Sequence, residues 1–144
     1  MEGIELLRQT RDVMQTLSDK INTAGIQSSF TEGRYHHFIA HGMDIPSSFA
    51  YGFFRELVEE AEKSPDVLSR LPMDKVQEVY NKAKEAIDTG IEASIAYLAD
   101  ALSNKAGQSM TEEDTQNMQP SFRVREALEA CDAVREAYKG KQGK

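Results

Sequence analysis

Apolar residues near the start of the chain recur three, four or seven positions apart: Ile4, Leu7, Met14, Leu17 and Ile21, with Arg8, Arg11, Asp12 and Asp19 elsewhere around the turn. That period matches a helix, not a strand, so residues 2–23 are predicted as an amphipathic helix. Gly25 can take the left-handed conformation that closes a helix, and Gln27, Ser28, Ser29, Thr31 and Gly33 continue helices poorly, so a loop is expected next. A short hairpin, with Phe30 and Tyr35 flanking Glu32-Gly33, is the alternative for part of that loop. Residues 35–41 read better as two helical turns ended by Gly42. Asp44-Ile45-Pro46 should then stop the helix running on, which makes residues 43–46 a connector.

A new helix is expected at Ser47 or Ser48, either of which can accept a backbone hydrogen bond as its cap. Phe49, Phe53, Phe54, Leu57, Val58 and Ala61 form a wide apolar stripe that should pack deeply. Glu56, Glu59, Glu60 and Glu62 form the outer face, read first as solvation and alternatively as an acidic docking surface. Ser64-Pro65-Asp66 predicts a short helix to Leu71, with serine as the cap, proline in the first turn and aspartate at the positive end of the dipole. Pro72 ends it, and Asp74 with Gln77 has the spacing of a capping box.

The longest pattern starts there. Val76, Tyr80, Ala83, Ile87, Ile91, Ile95, Leu98 and Leu102 advance by three or four throughout residues 74–105. At about 1.5 Å per residue the rod is roughly 48 Å long, whereas a compact globule of this chain length is about 37 Å across. Three arrangements resolve the mismatch: a break near Asp88-Thr89-Gly90, an elongated bundle, or a rod end covered by another subunit. Ala83, Ala86, Gly90, Ala93 and Tyr97 make an adjacent row, mostly small. It admits a close helix neighbour from the same chain or, alternatively, from a second copy.

Gly107 supplies the next stop, and Thr111-Glu112-Glu113-Asp114 the start of a short acidic helix. After a reset at Pro120 and Ser121, the residues Val124, Leu128, Cys131, Val134 and Tyr138 predict a closing amphipathic helix. Residues 140–144 are expected to be a flexible tail. The prediction is therefore all-α. It is a single domain over residues 1–139, built as a helical bundle with about four main helices, one unusually long, plus short connecting helices, elongated or dimeric. No internal repeat is present.

Composition narrows the classes. With 144 residues, 40% of them hydrophobic, the chain can bury a core without a disulfide or structural metal. A net charge of −7 and a pI near 5.0 disfavour direct contact with nucleic-acid phosphates. Even residues 91–102 are interrupted by Glu92 and Asp100, so no membrane span is expected. The single Cys131 cannot form an internal bridge, and residues 1–20 are too evenly charged for a secretory leader, so the expected location is cytoplasmic.

All three histidines, His36, His37 and His41, fall within residues 34–44. His37 and His41 are four apart, on one helical face, and Asp44 is a candidate third ligand. Such a set would suit zinc or another divalent transition metal and leave a position open for an activated water. Against it, no His-Glu-x-x-His pattern supplies a base, and Gly42 is expected to end the helix before Asp44. The plainer reading packs Tyr35, Phe38 and Ile39 inward and leaves the imidazoles at an edge, where charging near pH 6–7 would weaken any contact they line. His41 is followed by Gly42-Met43-Asp44, without the neighbouring cation a phosphoryl-accepting histidine wants. Cys131, on an apolar stripe, reads as a small core residue.

No glycine-rich phosphate loop, cysteine cluster or serine-nucleophile elbow is present. The expected function is thus a small helical protein-interaction module, an adapter, regulator or inhibitor, without catalysis or cofactor. Its partner is another protein, with a homodimer as a further arrangement. The alternative is a metal-binding helical bundle, hydrolytic in its strongest form, centred on His37, His41 and Asp44. A nucleic-acid mimic ranks behind both, because Lys and Arg are interspersed among the carboxylates.

Overall fold

Two long helices, α1 (Gly3–Thr31) and α2 (Arg34–Lys63), carry the first half of the chain. A six-residue 3-10 helix, Pro65–Arg70, leads to α3 (Met73–Asp88), α4 (Ile91–Asn104), the short α5 (Glu112–Asn117) and α6 (Gln119–Gln142). The computed structural model describes residues 3–31, 34–104 and 111–142, and side chains for 3–24, 43–97 and 111–140. Among the described residues there is no strand, and the architecture is an all-α helical bundle.

Contacts give the helix directions. Ser18 on α1 meets Asp44 and Ser48 on α2, while Arg8 meets Glu62, so these two helices run antiparallel. Lys82 and Glu85 on α3 meet Glu126 and Arg123 on α6, another antiparallel pair. Phe53 packs edge-on against Tyr138, joining α2 to α6. The four walls follow the order α1, α2, α6, α3 around the core, so the link from α2 to α3 crosses a diagonal at one end of the bundle. The 3-10 helix makes that crossing and closes the end, burying Val67 beneath it.

The core follows the helical period. Leu7, Met14, Leu17 and Ile21 from α1 meet Phe54, Leu57 and Val58 from α2, all essentially inaccessible. Val76, Val79, Ala83 and Ala86 close it from α3, and Val124, Ala127 and Val134 from α6. Of the small row, Ala83 and Ala86 are buried and let α6 and α1 approach α3, while Gly90 and Tyr97 are half-buried and Ala93 is exposed. Beside the core, Glu126 accepts from Lys82 and Arg123, which hold its carboxyl below the usual range, the Lys82 hydrogen bond contributing most.

The long pattern breaks where the mismatch in length placed one alternative. Thr89 donates its hydroxyl to the Glu85 carbonyl, and Gly90 adopts φ +93°, a left-handed conformation that a side chain would strain. The chain restarts at once as α4, with Ser94 N–H donating to the Gly90 carbonyl.

Several local expectations fail. Gly25 and the polar residues after it do not end α1, which continues to Thr31, and Phe30, Thr31, Arg34 and Tyr35 are helical, so the hairpin falls as well. Gly42 does not end a helix either: α2 runs unbroken through residues 42–46 with Pro46 inside it. A proline on the solvent side of a helix leaves the freed carbonyl open to water, and Pro46 is exposed. Ser47 and Ser48 therefore cap nothing. Ser47 is buried, its hydroxyl unpaired among the described residues, and Ser48 bonds across to Ser18. Nor do the expected caps at Ser64 and Asp74 form. Ser64 precedes the 3-10 helix without a side-chain bond, and α3 starts after Pro72, while Gln77 donates to Asn81 instead. Along α1 and α2, pairing between the two long helices outweighs the weak preference of one residue.

The acidic start at residue 111 forms as expected. Thr111 accepts from the Asp114 N–H, and Asp114 accepts from the Thr111 N–H, closing a reciprocal box.

Candidate functional site

The outward surface of α2 departs most from expectation. Phe49 was placed by its spacing in the buried stripe, yet it is 71% exposed, and Ile45, one turn earlier, is 45% exposed. The reason is angular. Ala50, Phe54, Val58 and Ala61 set the inward arc, and at about 100° per residue Phe49 and Val58 lie on opposite sides of the helix. The full set from Phe49 to Val58 spans half the circumference, more than one face can bury. That width was readable in the sequence.

Ile45 and Phe49 flank a groove of about 250 Å³ between α2 and α6. Its walls are Pro46 and Ala50 on one side and Leu128 on the other, with Cys131 at the floor and Asp132 and Arg135 at the rim. Those two rim charges pair with each other at 2.7 Å. Ile45 and Phe49 are the two large apolar side chains left exposed among the described residues, and they sit together. Scattered single apolar residues are ordinary on a surface; these two adjoin each other beside a cleft.

Cys131 is 3% exposed, and burial, assisted by Asp132, pushes its thiol up to about 12. At pH 8 its thiolate fraction should be roughly a thousandth of that of an ordinary cysteine. Native protein should therefore react with a disulfide reagent at least a hundredfold more slowly than protein unfolded in guanidinium. Equal rates would mean that the groove opens to its floor in solution.

The outer surface of α2 continues past Phe49 to Gly52, Glu56 and Glu59, all roughly in line at helical spacing. A Cβ added at Gly52 would touch nothing within 4 Å, so the surface is unobstructed there. Of the four glutamates on this helix, Glu60 accepts from the Tyr138 hydroxyl and Glu62 pairs with Arg8 at 3.7 Å. Glu56 and Glu59 are exposed and form no ion pair among the described residues.

The histidine stretch lies on the first turns of α2, and the side chains of His36, His37 and His41 are outside those described. With the helix unbroken at Gly42, positions 37, 41 and 44 fall along one side of it, at spacings of four and three. The Asp44 carboxylate accepts from Ser18 at 3.0 Å and from Ser48 at 3.4 Å, so it ties α2 to α1. Among the described residues no group of three or more His, Cys, Asp or Glu side chains is placed to hold a metal.

A second cleft, of about 330 Å³ between α1 and α3, is lined by Gln9, Val13, Thr16, Tyr80 and Ile87, with Lys84 and Asp88 paired at its edge. It is the larger of the two, but Val13, Tyr80 and Ile87 are partly buried against the core and no exposed apolar side chain stands beside it. No helix among the described residues is long and apolar enough to cross a membrane. Compared with protein-family models, with curated proteins and with solved structures, the chain matches none of them.

Proposed function

We propose that this protein is a non-catalytic helical interaction module whose docking site is the groove between α2 and α6 beside Phe49. The exposure of Phe49, at 71%, carries the reading. A free aromatic ring in water forgoes most of the roughly 2 kcal/mol that burying it would contribute, and the folded core makes no use of it. A ring of this kind next to an apolar cleft behaves as an anchor for a partner, because aromatic residues dominate the binding energy of protein interfaces. The rim pair Asp132–Arg135 supplies the polar border such sites usually have.

The test compares baits. Wild-type protein and Phe49→Ser, matched for melting temperature, are used to capture proteins from the source cell. Proteins retained by the wild type and lost by the variant are the expected result. Identical sets for both would remove the groove as the docking site.

A second reading keeps the metal hypothesis, because an unbroken α2 removes the expected obstacle between His41 and Asp44. Under it, His37, His41 and Asp44 hold zinc or a similar ion, and Asp44 gives up its bonds to Ser18 and Ser48 to do so. Tag-free protein would then carry stoichiometric metal that His37→Ala and His41→Ala lose. Metal-free protein whose melting temperature ignores added zinc would end this reading.

A further inference from the structure

This inference rests on the docking reading above and concerns the chemistry of the partner. The outer surface of α2 changes character along its length: Ile45 and Phe49 are apolar and exposed, Gly52 is bare, and Glu56 and Glu59 are exposed carboxylates without an ion-pair partner among the described residues. At 1.5 Å per residue the carboxylates lie about 10–15 Å along the helix from Phe49. Of the nearby cations, Arg55, one turn before Glu59, stacks over Tyr51, and Arg135 pairs with Asp132. Lys63 stands at the far end of the same surface, beyond the glutamates.

We propose that the partner is a basic amphipathic helix. Its apolar side chains seat in the groove at Ile45 and Phe49, and its Lys or Arg side chains, two to three turns further on, meet Glu56 and Glu59. Charge complementarity selects this occupant. A second copy of the chain would bring together two molecules each carrying a net charge of −7. A helix is favoured because it presents apolar and charged groups in line at the same rise as α2 itself.

The test uses the full chain and three labelled helical peptides, read by fluorescence anisotropy. The first carries leucines over two turns and lysines on the same face over the next two. The second replaces the lysines with glutamates, and the third replaces the leucines with serines. The first should bind best, the second about tenfold more weakly at low salt, with the gap closing as salt rises. Glu56→Lys/Glu59→Lys should reverse the preference between the first two peptides. Phe49→Ser should weaken the first by at least about tenfold while shifting the melting temperature only slightly.

If the first two peptides bind equally and both lose affinity in Phe49→Ser, the basic partner is wrong although the groove remains a docking site. If Phe49→Ser changes the binding of no peptide, the docking reading falls and takes this inference with it. If light scattering finds a dimer that Phe49→Ser abolishes, the occupant is a second copy and the inference is overturned.

Discussion

Phe54→Ala is expected to lower the unfolding free energy by about 3–5 kcal/mol, because removing a fully enclosed ring loses its transfer energy and leaves a cavity that a close-packed bundle refills only in part. Among the described residues Phe54 is the largest side chain buried without residual exposure, and it meets Phe53 edge-on at 5.5 Å. Urea unfolding should show the midpoint falling sharply at nearly constant slope. The informative comparison is Phe49→Ser, five positions earlier on the same helix, which should change stability by only about 0.5 kcal/mol. The two substitutions thus separate two phenylalanines of α2 by role: Phe54 holds the bundle together and Phe49 faces outward. Similar costs at both positions would mean that α2 is rotated about its axis in solution, and the groove would lose its anchor.

Asp114→Ala should cost about 2–3 kcal/mol, a larger effect than loss of an ordinary helix cap. Asp114 is only 3% exposed, and its carboxylate accepts from both the Thr111 N–H and the Tyr97 hydroxyl. Truncation strips two donors of their acceptor in a part-buried setting, and it unfastens α5 from α4 as well. Asp114→Asn keeps one acceptor oxygen and should cost less than half as much. Thermal denaturation gives the global cost, and hydrogen exchange should show faster opening over α5 while the amides of α1 and α2 keep most of their protection. Uniform loss of protection over the whole chain would show instead that α5 is part of the single cooperative unit.

These two residues also mark how far the sequence could be read. Thr111 and Asp114 were legible because a capping box is a local device: two side chains and two N–H groups within one turn satisfy each other whatever the surroundings. Gly90 was legible for a related reason, since a rod of about 48 Å exceeds the span of the globule and a left-handed glycine is where it most easily bends. The inward set on α1 was equally plain, whereas on α3 the expected Tyr80 and Ile87 are only half-buried and Val79, outside the expected row, is fully buried.

Where the sequence misled, a local signal met a stronger distant one. Gly42, Pro46 and Ser47 together spell a helix end, yet the pairing of α1 with α2 along their length, tied by Ser18 to Asp44 and Ser48, carries the helix through. The same passage decided the candidate sites. It put positions 37, 41 and 44 in one helical register, while Phe49 faces outward because Ala50, Phe54, Val58 and Ala61 take the inward arc.

The sequence by itself determined that this chain is an all-α bundle and which faces of α1 and α6 are buried, because period and chain length are properties of neighbours in the chain. Only the tertiary structure decided that α2 is a single helix, that Asp44 is bound to α1, and that Phe49 stands exposed beside a groove floored by Cys131. Each of these depends on which residues from distant segments compete for the same face, and that competition is settled by packing.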